Sequence, residues 1–128
     1  MAGELEKTVR DFLGRLDAKD FASLSGLFTE DALLVDEILR RWIRGRQSVD
    51  EYIRQIGPAL DNIRSEVHDA HEAIWGDVGL VTFWLEQDYT YQGKPTHVSA
   101  PTTTVLRRTG PDWQVALFHS IPLPEAAG

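Results

Sequence analysis

Apolar residues recur every three to four positions at the start of this chain and every second position through most of its later half, so two kinds of element follow one another. Leu5, Val9, Phe12, Leu13 and Leu16 share one helical face with Glu, Lys, Arg and Asp opposite, which predicts an amphipathic helix. Asp17-Ala18-Lys19-Asp20 breaks it, and Phe21, Leu24, Leu27 and Phe28 predict a second, shorter helix ending near Thr29-Glu30-Asp31. The Leu-, Ile-, Val- and Trp-rich runs 32–38 and 40–44 predict a hairpin closing around Glu37 to Arg40. Gly45 ends it, Ser48 is placed as an N-cap, and Val49, Tyr52, Ile53 and Ile56 stripe a third helix that Gly57-Pro58 stops.

From Ile63 onward the pattern alternates in four segments, 63–75, 78–92, 96–109 and 112–121, separated by Gly-Asp, Gln-Gly-Lys and Gly-Pro-Asp turns. These read as a four-strand meander. Helix, helix, hairpin, helix and meander together predict an α+β fold: three N-terminal helices packed on a curved, mainly antiparallel sheet, a cone that encloses a pocket. No repeat, low-complexity tract or linker interrupts residues 1–128, which are expected to form one domain.

Charge narrows the partners. Thirteen Lys and Arg against 20 Asp and Glu give a net charge of −7, which repels phosphate backbones and anionic membranes, so neither nucleic acid nor membrane is an expected partner. The absence of Cys excludes disulfides, thiol nucleophiles and thiolate metal sites. The charged segment MAGELEKTVRDFLGRL has no apolar core of a signal peptide, and the expected location is the cytoplasm.

Asp36 is the residue that most asks for a chemical reason, because it closes the apolar run DALLVD without a cation beside it in sequence. A carboxylate in an apolar pocket can abstract a proton from carbon next to a carbonyl if a donor stabilises the enolate; at a strand end it can equally cap a turn toward solvent. On the last segment, counting by two from Trp113 and Val115 puts His119 on the more apolar face, where it would act as donor or acid. In the segment 78–92 Phe83, Leu85, Gln87 and Tyr89 share a face suited to a pocket wall, and Gln87, its polar member, needs a partner or a ligand oxygen. Trp42 and Tyr52 are aromatic candidates for the mouth. His68 and His71 fall on opposite faces of a regular strand and so cannot share a metal ion, and His97 beside Pro95 reads as exposed. With no Gly-rich phosphate loop, nucleophile elbow or paired metal-binding His, neither a cofactor nor a metal is expected.

The order of elements, the DALLVD run, the IRGRQSVDEYI segment and the closing DWQVALFHS strand resemble the nuclear transport factor two-like superfamily over nearly the whole chain. Within it the pattern is most similar to SnoaL-like polyketide cyclases and ketosteroid isomerases, and the resemblance places Asp36 at the position of a strand-borne proton-transfer base. It also puts Phe12 where the isomerases carry an oxyanion-hole Tyr and Thr103 where they carry a protonated Asp, so the steroid-isomerase donor pair is absent; that pair is a standard case of a carboxylic acid kept neutral. Matching the letters ALF to the same family turns Ala116, Phe118 and Ser120 inward instead and His119 outward, a second phase for the last strand. A homodimer through the sheet, whose outer face carries Trp84 among polar residues, is a further implication of the resemblance.

The function expected from these residues is a cofactor-independent isomerase, cyclase or lyase acting on a hydrophobic carbonyl compound such as a polyketide or terpenoid. Asp36 and His119 are the catalytic candidates, with Phe12, Trp42, Tyr52, Phe83, Leu85, Gln87, Tyr89 and Thr103 as pocket residues. A noncatalytic binding or dimerisation module of the same fold is the alternative, and an epoxide hydrolase a third.

Overall fold

A computed structural model describes residues 3–36 and 41–121 of the chain, with Asp36 described by its backbone alone. Helices α1 (Glu4–Asp17) and α2 (Phe21–Ser25) lead into strands β1 (Phe28–Asp36) and β2 (Arg41–Arg44). Helix α3 (Arg46–Ile56) and a 3-10 turn (Gly57–Ala59) precede strands β3 (Leu60–Trp75), β4 (Val78–Tyr91), β5 (Lys94–Thr109) and β6 (Asp112–Ser120). The six strands form one sheet in the order β2-β1-β6-β5-β4-β3, antiparallel except for the parallel pair β1 and β6.

Helix α1 lies where its apolar stripe requires. Leu5, Val9, Phe12 and Leu13 are buried and join one core with Val67, Val81, Phe83 and Leu106 from the sheet. Burying such side chains is the main term favouring this packing. Its first turn carries no side-chain cap from its own sequence; instead Glu72 of β3 accepts from the backbone N–H of Gly3 at 2.9 Å and of Glu6. This carboxylate also lies at the positive end of the helix dipole. Glu72→Ala is therefore expected to lower unfolding stability by about 1–2 kcal/mol, measured by urea denaturation; a loss no larger than that of an exposed glutamate would show the cap to be idle.

Two boundaries differ from the sequence reading. Phe28 begins β1 rather than ending the second helix, because Gly26 closes α2 and the strand then pairs with β6, where the Val115 N–H donates to Leu27 O at 2.7 Å. Helix α3 starts at Arg46 behind Gly45, whose φ of +88° suits glycine, and Ser48 is inside the helix. The residues around which the first hairpin was expected to turn, 37–40, lie outside those described. The later turns hold as read: Gln92 and Gly93, both with positive φ, join Tyr91 to its partner Lys94, the backbone of a tight two-residue hairpin.

Curvature comes from bulges that period-two counting cannot see. Strand β3 shifts register between Asp61 and Arg64 and again between His68 and His71, with Asn62 and Asp69 left-handed at φ 55° in both places. One consequence corrects the expectation for the histidines. His68 pairs with Trp84 and His71 with Thr82, so both stand on the same outer face rather than on opposite ones. Their side chains have separate acidic neighbours, Glu66 at 3.1 Å and Asp69 at 3.3 Å.

Candidate functional site

The concave side of the sheet and the three helices leave a cavity of about 150 Å³. Phe12 and Leu16 reach it from α1, Phe21 and Leu24 from α2, and Tyr52, Ile53 and Ile56 from α3. The sheet supplies Phe28, Leu34 and Val35 from β1, Leu60 and Ile63 from β3, Leu85, Gln87 and Tyr89 from β4, and Phe118 and Ser120 from β6. Phe12 anchors this wall, its ring edge-on to Phe28 at 5.3 Å and against Phe118 at 5.2 Å. An apolar space of this size accommodates a benzene-sized molecule without rearrangement.

Five of the predicted pocket residues thus meet around one space: Phe12, Tyr52, Leu85, Gln87 and Tyr89. Phe83 shares their face but sits deeper, buried in the core with its ring 6.5 Å from Phe118. Thr103, Trp42 and His119 do not line the cavity. For His119 the reason is a bulge in β6: Leu106 pairs with Val115 but Val105 with Leu117, so the phase slips at Ala116 and the inward positions become Phe118 and Ser120; Thr103 lies on the outer face of β5 with its β4 partner Thr82. His119 is turned to the other face, opposite Thr103, where its ring packs 5.6 Å from the half-exposed Trp42. Of the two phases that the last strand allowed, the second describes Phe118 and Ser120.

Asp36 is the last residue of β1, in register with Arg41 of β2. The two residues before it, Leu34 and Val35, line the cavity. Its side chain lies outside the described residues.

Two polar networks reach the cavity wall, and neither was legible in sequence. Gln87 Nε2 donates to Ser65 Oγ at 3.0 Å, and Ser65 donates from Oγ at 2.7 Å and from its backbone N–H at 2.9 Å to the carboxylate of Asp17. Ser120 shares a 2.8 Å hydrogen bond with Thr102, both buried. Ser65 is separated from Asp17 by 48 positions and from Gln87 by 22, and no local pattern connects them. Among the described residues no three His, Cys, Asp or Glu side chains are placed to hold a metal ion.

The outer face carries a different cluster. Trp84 Nε1 donates to Glu86 at 3.0 Å and to Ser99 at 2.9 Å, and His97 spans Asp88 at 2.7 Å and Glu86 at 2.8 Å. Hydrogen bonds to Asp88 first and Glu86 second raise the His97 pKa above its ordinary 6.5, while hydrogen bonds from Ser99 and then Trp84 lower that of Glu86 below 4.5. A raised histidine pKa gives stability that is whole below the unfolded value and fades as pH climbs through the folded one. The lowered glutamate pKa gives the opposite slope, with stability lost as pH falls through the acidic range. The melting-temperature gap between wild type and His97→Gln is accordingly expected to be widest near pH 5.5–6.5 and to close in alkaline buffer, more weakly at high salt; a gap independent of pH would show that the charge on His97 contributes nothing.

Fold and cavity together define an α+β cone built around a small apolar ligand space. The chain belongs to the SnoaL-like domain family, whose profile matches residues 5–124. No curated protein matches it. Among solved structures, a dehydratase candidate of the NTF2-like family from Streptomyces avermitilis is 20% identical with a TM-score of 0.83, the match covering 94% of this chain and 95% of that one. A ketosteroid isomerase-like protein from Erwinia carotovora atroseptica is 17% identical at TM-score 0.80, covering 95% of both chains. The CaMKII hub of S. rosetta is 13% identical at TM-score 0.77, covering 95% and 96%. At these identities the likeness is one of fold, and it places the chain in the NTF2-like cone architecture. No helix among the described residues is long and apolar enough to cross a membrane.

Proposed function

We propose that the chain is a cofactor-independent enzyme of isomerase, cyclase or lyase type. Its substrate would be a compact hydrophobic carbonyl compound, and Asp36 the base that removes a proton next to the carbonyl. The observation that carries this reading is the apolar cavity whose wall includes Leu34 and Val35, the two residues immediately before Asp36. Its volume favours a single ring, such as a monocyclic terpenoid or a short cyclised polyketide, over a four-ring steroid. Gln87, on the wall, is better placed than His119 to polarise the substrate oxygen. Phe12, which carries no hydroxyl, lines the cavity where the isomerases have their Tyr, and Thr103, matched to their Asp, does not line it, which fits a reaction other than steroid isomerisation.

The test is to incubate the protein with cyclohexanone-type ketones in deuterated water and to follow exchange at the carbon beside the carbonyl by NMR, alongside a thermal-shift titration. Ligand at about 100 times its dissociation constant stabilises by about 2.7 kcal/mol, which a melting curve resolves. Binding with catalysed exchange supports the enzyme; binding without exchange across the series supports the second reading. That reading is a noncatalytic ligand-binding or self-assembling module, dimeric through the outer sheet face. It draws on the likeness to a CaMKII hub and on the half-buried Trp84 among Glu86, Ser99 and Asp88 on that face.

A further inference from the structure

We propose that Asp17 and Ser65 are positioning residues that set the polarity of the cavity, holding Gln87 as the group that recognises the oxygen of a single-ring ligand. This rests on the reading of the cavity as a ligand site.

Asp17 needs an explanation that its own helix does not provide. It is the last residue of α1, where a carboxylate meets the negative end of the helix dipole. What holds it there is Ser65, whose backbone N–H and hydroxyl both donate to it. A serine hydroxyl has one hydrogen, and an ionised carboxylate can only accept. Once that hydrogen is spent on Asp17, Ser65 Oγ can offer Gln87 only a lone pair. The group of Gln87 lying 3.0 Å from it must then be the amide nitrogen, so a terminal amide that sterics alone would allow either way round has one orientation.

Register makes the chain of bonds possible. Ser65 and Gln87 are direct partners across β3 and β4, on the concave face, in the register that follows the bulge at Asp69. With one N–H committed to Ser65, Gln87 retains its carbonyl oxygen and a second N–H, which make no other hydrogen bond among the described residues. They belong to a wall whose neighbours Leu85, Ile63 and Phe118 are apolar. A half-buried amide with unspent capacity in such a wall discriminates in favour of a ligand that brings an oxygen. The ligand class is therefore an oxygenated single ring, its hydroxyl donating to Gln87 Oε1 or its carbonyl accepting from the remaining N–H.

Phenol and toluene are near-isosteric probes that differ in the hydroxyl, and the ratio of their dissociation constants, read by titration calorimetry, reports recognition of the oxygen. Ser65→Ala removes the hydroxyl but leaves the Asp17 bond to the backbone N–H, and it is expected to reduce the preference for phenol about fivefold with toluene binding unchanged. Ser65→Thr, which keeps a hydroxyl, is expected to restore the ratio. In a Gln87→Leu background, which itself abolishes the preference, Ser65→Ala is expected to have no further effect, a non-additivity that a merely structural role would not produce. Binding of both probes with an unchanged ratio in Ser65→Ala, or an additive effect in the double variant, overturns the positioning role alone. Failure of wild type to bind either probe overturns the ligand-site reading and this proposal with it.

Discussion

Asp36→Asn is expected to slow exchange of the proton beside the carbonyl of a bound ketone by about 10²–10⁴-fold, the usual contribution of a positioned general base. The two side chains are nearly isosteric and both accept hydrogen bonds, so packing at the end of β1 is conserved and only basicity is lost. Position makes this the decisive substitution. Asp36 follows directly on Leu34 and Val35 in the cavity wall, and β1 is held on both sides, by β2 through the pair Asp36 and Arg41 and by β6 through Leu34 and Phe118. The expected outcome is loss of kcat with a melting temperature and a ligand dissociation constant close to wild type. Exchange within a few-fold of wild type would remove Asp36 from the mechanism, and unchanged binding with no exchange in either protein would favour the binding-module reading.

Phe28→Ala is expected to cost about 3–5 kcal/mol of unfolding free energy, the range for truncating a fully buried aromatic residue. Phe28 is 1% exposed, meets Phe12 edge-on, and borders the cavity. Its neighbours are anchored by strand pairing and by α1, so they cannot collapse into the vacated space, and the existing cavity enlarges instead. Two readouts separate this from simple destabilisation. Urea denaturation should show the loss, and a bicyclic ketone too large for wild type should gain affinity relative to a monocyclic one. A loss below about 1 kcal/mol would mean that the wall relaxes freely, and the proposed size limit on the ligand would then have no structural basis.

The features that sequence revealed are those governed by short-range periodicity. Leu5, Val9, Phe12 and Leu13 are spaced for one helical face and are all buried. Leu85, Gln87 and Tyr89 alternate along β4, which runs without a register shift against β5, so counting by two placed all three on the cavity wall. Where a strand bulges, the same counting fails. The slip at Ala116 turns Phe118 and Ser120 inward and His119 outward, and the shift in β3 brings His68 and His71 to one face. Nothing within a few residues of either place marks the bulge, because an extra residue is inserted only relative to a partner strand.

By itself, then, the sequence determined the α+β class, the buried stripe of α1, the later turns and the face of β4, because each follows from the preferences of neighbouring residues along one segment. Tertiary structure alone decided which strand phase faces the cavity, that Glu72 caps α1, and that Asp17 reaches Gln87 through Ser65. Those outcomes depend on pairing between segments far apart in the chain, and the energy that selects them exists only once the sheet has curled around the helices.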